Sequence, residues 1–259
     1  MKKALLITIL LIIAYAVIGS FVSVWADNEI YINQSGDNLN LNIRQYGDNN
    51  KVDTVMNGYQ LTMEVLQEGN KNELLKNGSG ISGDGNTITT EQWNNTTSSD
   101  VNRMYIDVNG NNNEVNVAHG CKFTYGMSDT TCDRDSHEDA GHTLYVDIQG
   151  NNNLVKGGQK MGSANRNNNA TIEIDSDGNE VFYTQAGNGA KTLNLNIDND
   201  SNEVTVNQLQ SGGHTANITL DGSDPTTLNL IQQGSGVMNY TLTQNCVTLG
   251  GCTLSVTQQ

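Results

Sequence analysis

Five glycines, Gly36, Gly47, Gly58, Gly69 and Gly80, stand eleven residues apart. The segments between them alternate apolar and polar residues. Leu39, Leu41 and Ile43 share one face, and Leu61, Met63 and Val65 share another. Period two marks a half-buried strand. Eleven residues hold one strand of five or six plus a turn. Two such halves make a coil of about 22 residues, inside the range of solenoid repeats. Later stretches repeat the strand–turn–strand pattern at looser spacing: 104–117, 144–155, 171–185, 193–208, 217–233 and 239–244. The expected fold is all-β, a β-solenoid of about eighteen strands and about nine coils over residues 27–259, with an insertion at about 118–142. At about 4.8 Å per coil the body is roughly 40 Å long. Asn and Gly suit the turns because both tolerate positive φ, yet Asn occurs 38 times, more than turns alone require.

Glutamines keep phase with the strands. Gln34 follows Ile32 by two residues, Gln45 follows Ile43, and Gln67 follows Val65. Gln185, Gln208, Gln232 and Gln244 follow Tyr183, Val206, Leu230 and Leu242 in the same way. Each is expected to point inward, where an unpaired amide is costly. Stacked on an identical amide in the next coil, it pairs donor to acceptor along the axis, as side-chain ladders do in cross-β stacks. The Gln is expected to fix stacking register and the Gly to turn the chain. Neither is chemistry on a substrate.

The chain opens with Lys2 and Lys3, an uncharged apolar run from Ala4, and Val24-Trp25-Ala26 before Asp27. This is the secretory pattern, with cleavage expected after Ala26; a retained anchor is the alternative, since the run just reaches spanning length. The chain downstream holds eleven Lys and Arg against 28 Asp and Glu, a formal charge of −17. Such a surface argues against nucleic acid and anionic lipid as partners, because both are polyanions.

The Gln and Gly positions resemble the curlin repeat, the motif of curli amyloid subunits. Gln45-Tyr46-Gly47-Asp48-Asn49-Asn50 and Gln67-Glu68-Gly69-Asn70-Lys71-Asn72 match its Gln-x-Gly-x-x-Asn core. Gln34-Ser35-Gly36, Gln185-Ala186-Gly187 and Gln232-Gln233-Gly234 keep Gln-x-Gly. The chain departs from the motif elsewhere. Leu39 and Leu61 stand at its Ser position, Val52 and Leu74 at its Ala position, and Met56 and Gly78 at its second Gln. The good matches cover residues 28–76, and the array is interrupted at 85–99 and at 120–141. The resemblance implies a β-solenoid that polymerises end to end outside the cell, with itself or another curlin-like subunit as partner. The alternative is a non-polymerising adhesin, bound to a surface receptor or polysaccharide through its insertion loop.

Four cysteines allow three pairings. In an exported, oxidised chain, Cys121–Cys132 stapling the insertion and Cys246–Cys252 near the end are the expected pairs. Cys121, Cys132, His137 and His142 also form a Cys₂His₂ set, but the cysteine spacing is far wider than zinc sites use. Asp198-x-Asp200-x-Asn202 and the 175–180 turn resemble fragments of calcium loops, without the Gly and Glu that complete one. No nucleophile or phosphate-binding motif appears. Neither catalysis, a cofactor, nor a small-molecule substrate is expected.

Overall fold

The computed structural model describes residues 29–47, 49–67, 69, 72–92, 101–119, 141–160 and 167–259. The leader and Cys121–Cys132 therefore lie outside the described residues. Two nine-stranded sheets face each other. Sheet one runs β1 (Glu29–Ser35), β3 (Lys51–Asn57), β5 (Asn72–Ser82), β7 (Asn102–Asn109), β9 (Thr143–Gln149), β11 (Asn169–Thr171), β13 (Lys191–Thr192), β15 (His214–Ala216) and β18 (Met238–Tyr240). Sheet two runs β2 (Asn40–Ile43), β4 (Thr62–Val65), β6 (Thr87–Glu91), β8 (Glu114–His119), β10 (Leu154–Lys160), β12 (Glu180–Ala186), β14 (Glu203–Leu209), β17 (Thr226–Gln233) and β20 (Cys252–Gln258). The chain alternates between the sheets, so every neighbour is the strand before last or nearly so. The ladders are parallel throughout. This is the β-solenoid expected from the period-two segments.

Alternation builds the core. Val52, Leu74, Met104, Leu144 and Ala170 stack in one inward column of sheet one, and Met63, Ile88, Val115, Val155, Val181, Val204 and Leu228 in one of sheet two; all are buried. Parallel strands bury their inward aliphatics continuously, so a column behaves as one long apolar stripe. Gly157 interrupts such a column. The Tyr183 ring, one rung along, lies over it, and a Cβ at Gly157 would collide with that ring.

Three expectations need correction. Among the described residues there are twenty strands rather than about eighteen, because β16 (Thr219–Gly222) and β19 (Thr243–Cys246) form a separate two-stranded sheet. Coils are not uniformly 22 residues: rung-to-rung offsets grow from 22 between Gln45 and Gln67 to 26 between Gln159 and Gln185, and 40 across the insertion between Asn102 and His142. The stretches 171–175 and 193–197 are mostly not strand. Glu173, Leu195 and Asn196 take positive φ there, which breaks the ladder while Ile172, Ile174, Leu193 and Ile197 stay buried.

Candidate functional site

What the columns of side chains do along the axis is the functional question for such a body. Gln45, Gln67, Gln185, Gln208 and Gln232 form the expected ladder, the first two just past the ends of β2 and β4 and the others in β12, β14 and β17, all at most 3% exposed. Gln92, Gln159 and Gln258 belong to it as well. In the first coils each amide donates backward: Gln67 Nε2 to Gln45 Oε1 at 2.5 Å, and Gln92 Nε2 to Gln67 Oε1 at 2.7 Å. In later coils each donates forward. Gln159 Nε2 reaches Gln185 Oε1 at 2.8 Å, Gln185 reaches Gln208 at 2.9 Å, Gln208 reaches Gln232 at 2.9 Å, and Gln232 reaches Gln258 at 2.8 Å. The second N–H of these amides crosses to sheet one of the same coil, as from Gln67 to Lys51 O and from Gln208 to Thr192 O. One side chain thus ties coil to coil and sheet to sheet. The two runs meet around β8, where His119 stands opposite Gln159 in the register. There the Oε1 atoms of Gln92 and Gln159 have no partner among the described residues.

Gln34 and Gln244 are not in this ladder. Gln34 lies in β1, opposite Met56, and Gln244 lies in β19, opposite Leu220. Neither lies in sheet two: Gln34 is in sheet one and Gln244 in the separate two-stranded sheet, and both are at least partly exposed. The local pattern of an apolar residue followed by an inward Gln is the same in all three sheets, so the strand pattern alone does not separate them.

The excess Asn has the same explanation. In one corner Asn86, Asn113, Asn153, Asn179 and Asn202 stack, each Oδ1 accepting the backbone N–H of the next rung at 2.8 to 2.9 Å and the last accepting from Thr226. The opposite corner carries Asn50, Asn72 and Asn102, then His142 and Asn168. Lys191 and His214 continue that column. Lys191 is fully buried and donates to three carbonyls, Gly189 O at 2.6 Å and Gln210 O and Gly212 O at 2.9 Å. Burial pulls its ammonium down to about 8. His214 donates from Nε2 to Leu209 O, 2.8 Å away, and burial and the neighbouring Lys191 charge lower its pKa against that contact.

The glycines divide between corners. Gly36 and Gly58 stack in one, where a Cβ on Gly36 would run into the Gly58 carbonyl. Gly47 and Gly69 lie in the other, their carbonyls capped by Asn50 and Asn72. Gly80 is not a turn residue. Extra residues in β5 shift the register, Gly80 falls inside that strand, and Gly83 takes the corner.

The candidate cation turns do not converge. Asp200 Oδ1 accepts the Asp177 N–H, and the Asn202 Oδ1 is spent on Thr226. His142 Nδ1 accepts the Asn168 N–H, and the other members of the zinc set lie outside the described residues. Among the described residues no group of three His, Cys, Asp or Glu is arranged for a metal ion. Arg44–Glu64, Lys51–Glu29, Arg103–Glu73 and Lys156–Glu114 pair cations with acids on adjacent rungs. Burial, then Asp198 and Asp147, raise the Asp175 carboxyl above its usual value.

The ends differ from the middle. Ile30, Leu39 and Leu41 at one end, and Tyr240, Leu242, Leu254 and Val256 at the other, pack on the core yet stay partly exposed. Cys246 and Cys252 are disulfide-bonded beside the last strand, as expected. Comparison with protein-family models, with curated proteins and with solved structures finds no match.

Proposed function

We propose that this chain is a secreted structural protein, a curlin-like subunit of extracellular fibres or surface matrix. The observation that carries this reading is the pair of end coils. β1 and β2 at one end, and β18 and β20 at the other, each have a hydrogen-bonding edge unpaired among the described residues. The inward columns under those edges are apolar and half uncovered. Such an edge is a template for another strand unless charge blocks it. Residues 225–259 contain no Asp, Glu, Lys, Arg or His, so no charged side chain of the last coil does so. The interior serves stacking rather than chemistry, since its polar side chains bond along the axis.

The test is assembly of purified protein at high concentration and 0.15 M salt, followed by thioflavin fluorescence and electron microscopy. Fibres with a cross-β signature support the reading. A chain that stays monomeric with full β-sheet circular dichroism overturns it and leaves the non-polymerising adhesin.

A further inference from the structure

The inward columns of sheet one are aliphatic in their middle coils. One of them begins at Gln34 and continues through Met56, Ile81, Val108 and Ile148. Extending the registers of β9, β11, β13 and β15 carries it through Ile174, Ile197 and Leu220, all buried, and it closes on Gln244. The column is therefore apolar except at its first and last rungs, and both exceptions are glutamine. In the separated molecule both amides reach water. Capped by an aliphatic rung, either one would be buried without a partner, which is costly.

We propose that the two ends recognise each other: a second copy stacks head to tail, with Gln34 of one chain against Gln244 of the next. This rests on the fibre-subunit reading above and adds its polarity and register. The same junction places Gln258 over Gln45 of the next copy, because Gln258 ends the ladder that Gln45 begins. It also sets Tyr240 on Ile30, Leu242 on Ile32, Leu254 on Leu41 and Val256 on Ile43, apolar on apolar. The outward residues of the last coil, Asn239, Thr241, Thr243, Thr253, Ser255 and Thr257, are neutral, so Glu29 and Arg44 of the first coil meet no like charge.

Head-to-head packing lacks this match. A two-fold axis reverses strand direction, and Gln34 then faces an apolar position such as Ile30. Head-to-tail contact is heterologous and does not close on itself, so it propagates a filament.

Charge exchange at the two positions tests the junction. The variants Q34E/Q244K and Q34E/Q244E differ only at residue 244, on an uncovered end strand, and circular dichroism of dilute protein checks that both keep the fold. Opposite charges across a parallel pair attract and like charges repel. The critical concentration for sedimentable fibres of Q34E/Q244K is expected within about threefold of wild type, and that of Q34E/Q244E at least about tenfold higher. Carbodiimide treatment of Q34E/Q244K fibres, grown from mixed light and heavy isotope-labelled chains, is expected to join positions 34 and 244 of different chains. Fibres that form equally well from both variants, or that yield no such cross-link, overturn the head-to-tail junction while the fibre reading stands. A wild type that never assembles overturns both.

Discussion

At the residue scale, position in a column decides what a glutamine is worth. Gln185 is fully engaged. It donates to Gln208 and to Asn169 O, and accepts from Gln159. Gln185→Leu would remove all three bonds and leave the buried Gln208 Oε1 without its donor, while Asn169 O keeps Leu193 N–H and Gln159 Nε2 keeps Thr143 O, so a loss of about 2–3 kcal/mol is expected in urea unfolding. Gln34→Leu, on the uncovered strand, is expected to stay within about 0.5 kcal/mol in the monomer. Equal midpoint shifts for the two variants would refute the ladder as a source of stability. Lys191 gives a pH signature. Its folded pKa of about 8 lies below the ordinary 10.5. Between those values the unfolded chain holds a proton that the folded chain has released. Stability is therefore expected to rise with pH across that window. Lys191→Met should remove the rise, read as the difference in urea midpoint between pH 7.5 and 10. Much of this column logic was legible beforehand. An inward Gln two residues after Ile43, Val65, Tyr183, Val206 and Leu230 is visible as text. Gln92 and Gln159 were hidden because Thr90 and Gly157 stand where the pattern wants an aliphatic residue. Lys191 gave no signal, since only the register shows that it occupies an asparagine position.

At the element scale, the strands of sheet two are regular and those of sheet one fade toward the C-terminus. β13 is two residues long, and β15 is followed by a separate short strand, β16. Alternating text such as 193–197 correctly marked buried residues there. It did not reveal that Leu195 and Asn196 adopt positive φ and leave the ladder, because period two reports which side chains face inward and not whether the backbone pairs. The Asn columns were equally hidden in detail, since coil lengths between 22 and 40 residues scramble any fixed spacing. The terminal disulfide secures the weakest part of this series. Cys246 and Cys252 are six residues apart and join β19 to the start of β20. Closing so short a loop is worth roughly 2 kcal/mol in the chain-entropy account. Replacing both cysteines with Ser is expected to speed hydrogen exchange in β18, β19 and β20 while β9 to β14 keep their protection. Uniform loss of protection along the whole body would show that the disulfide acts globally instead.

At the scale of the whole molecule, charge and shape are arranged along one axis. The acids project from the sides, and the last coil has no charged side chain. Approaching copies therefore repel through their flanks before their ends touch. Exposed charges are screened beyond about 10 Å at 0.1 M salt and beyond about 30 Å at 0.01 M. If the ends stack as proposed, assembly should be several-fold faster at 0.15 M sodium chloride than at 0.01 M, followed by light scattering. A rate that falls with added salt would mean that attraction between charges, not burial of the end columns, drives association.

The reversal of amide direction around β8 carries a mechanical consequence. Strand hydrogen bonds in this body lie along its length, so a pull on the two ends loads every coil-to-coil interface in series. The interfaces from β10 to β20 each add a Gln–Gln bond to their backbone bonds, and those from β2 to β6 do the same. Around β8 the amide oxygens of Gln92 and Gln159 have no partner among the described residues. A stretched filament built from this chain would yield inside each subunit, at a regular interval set by β8, and its two halves would survive the break as intact stacks.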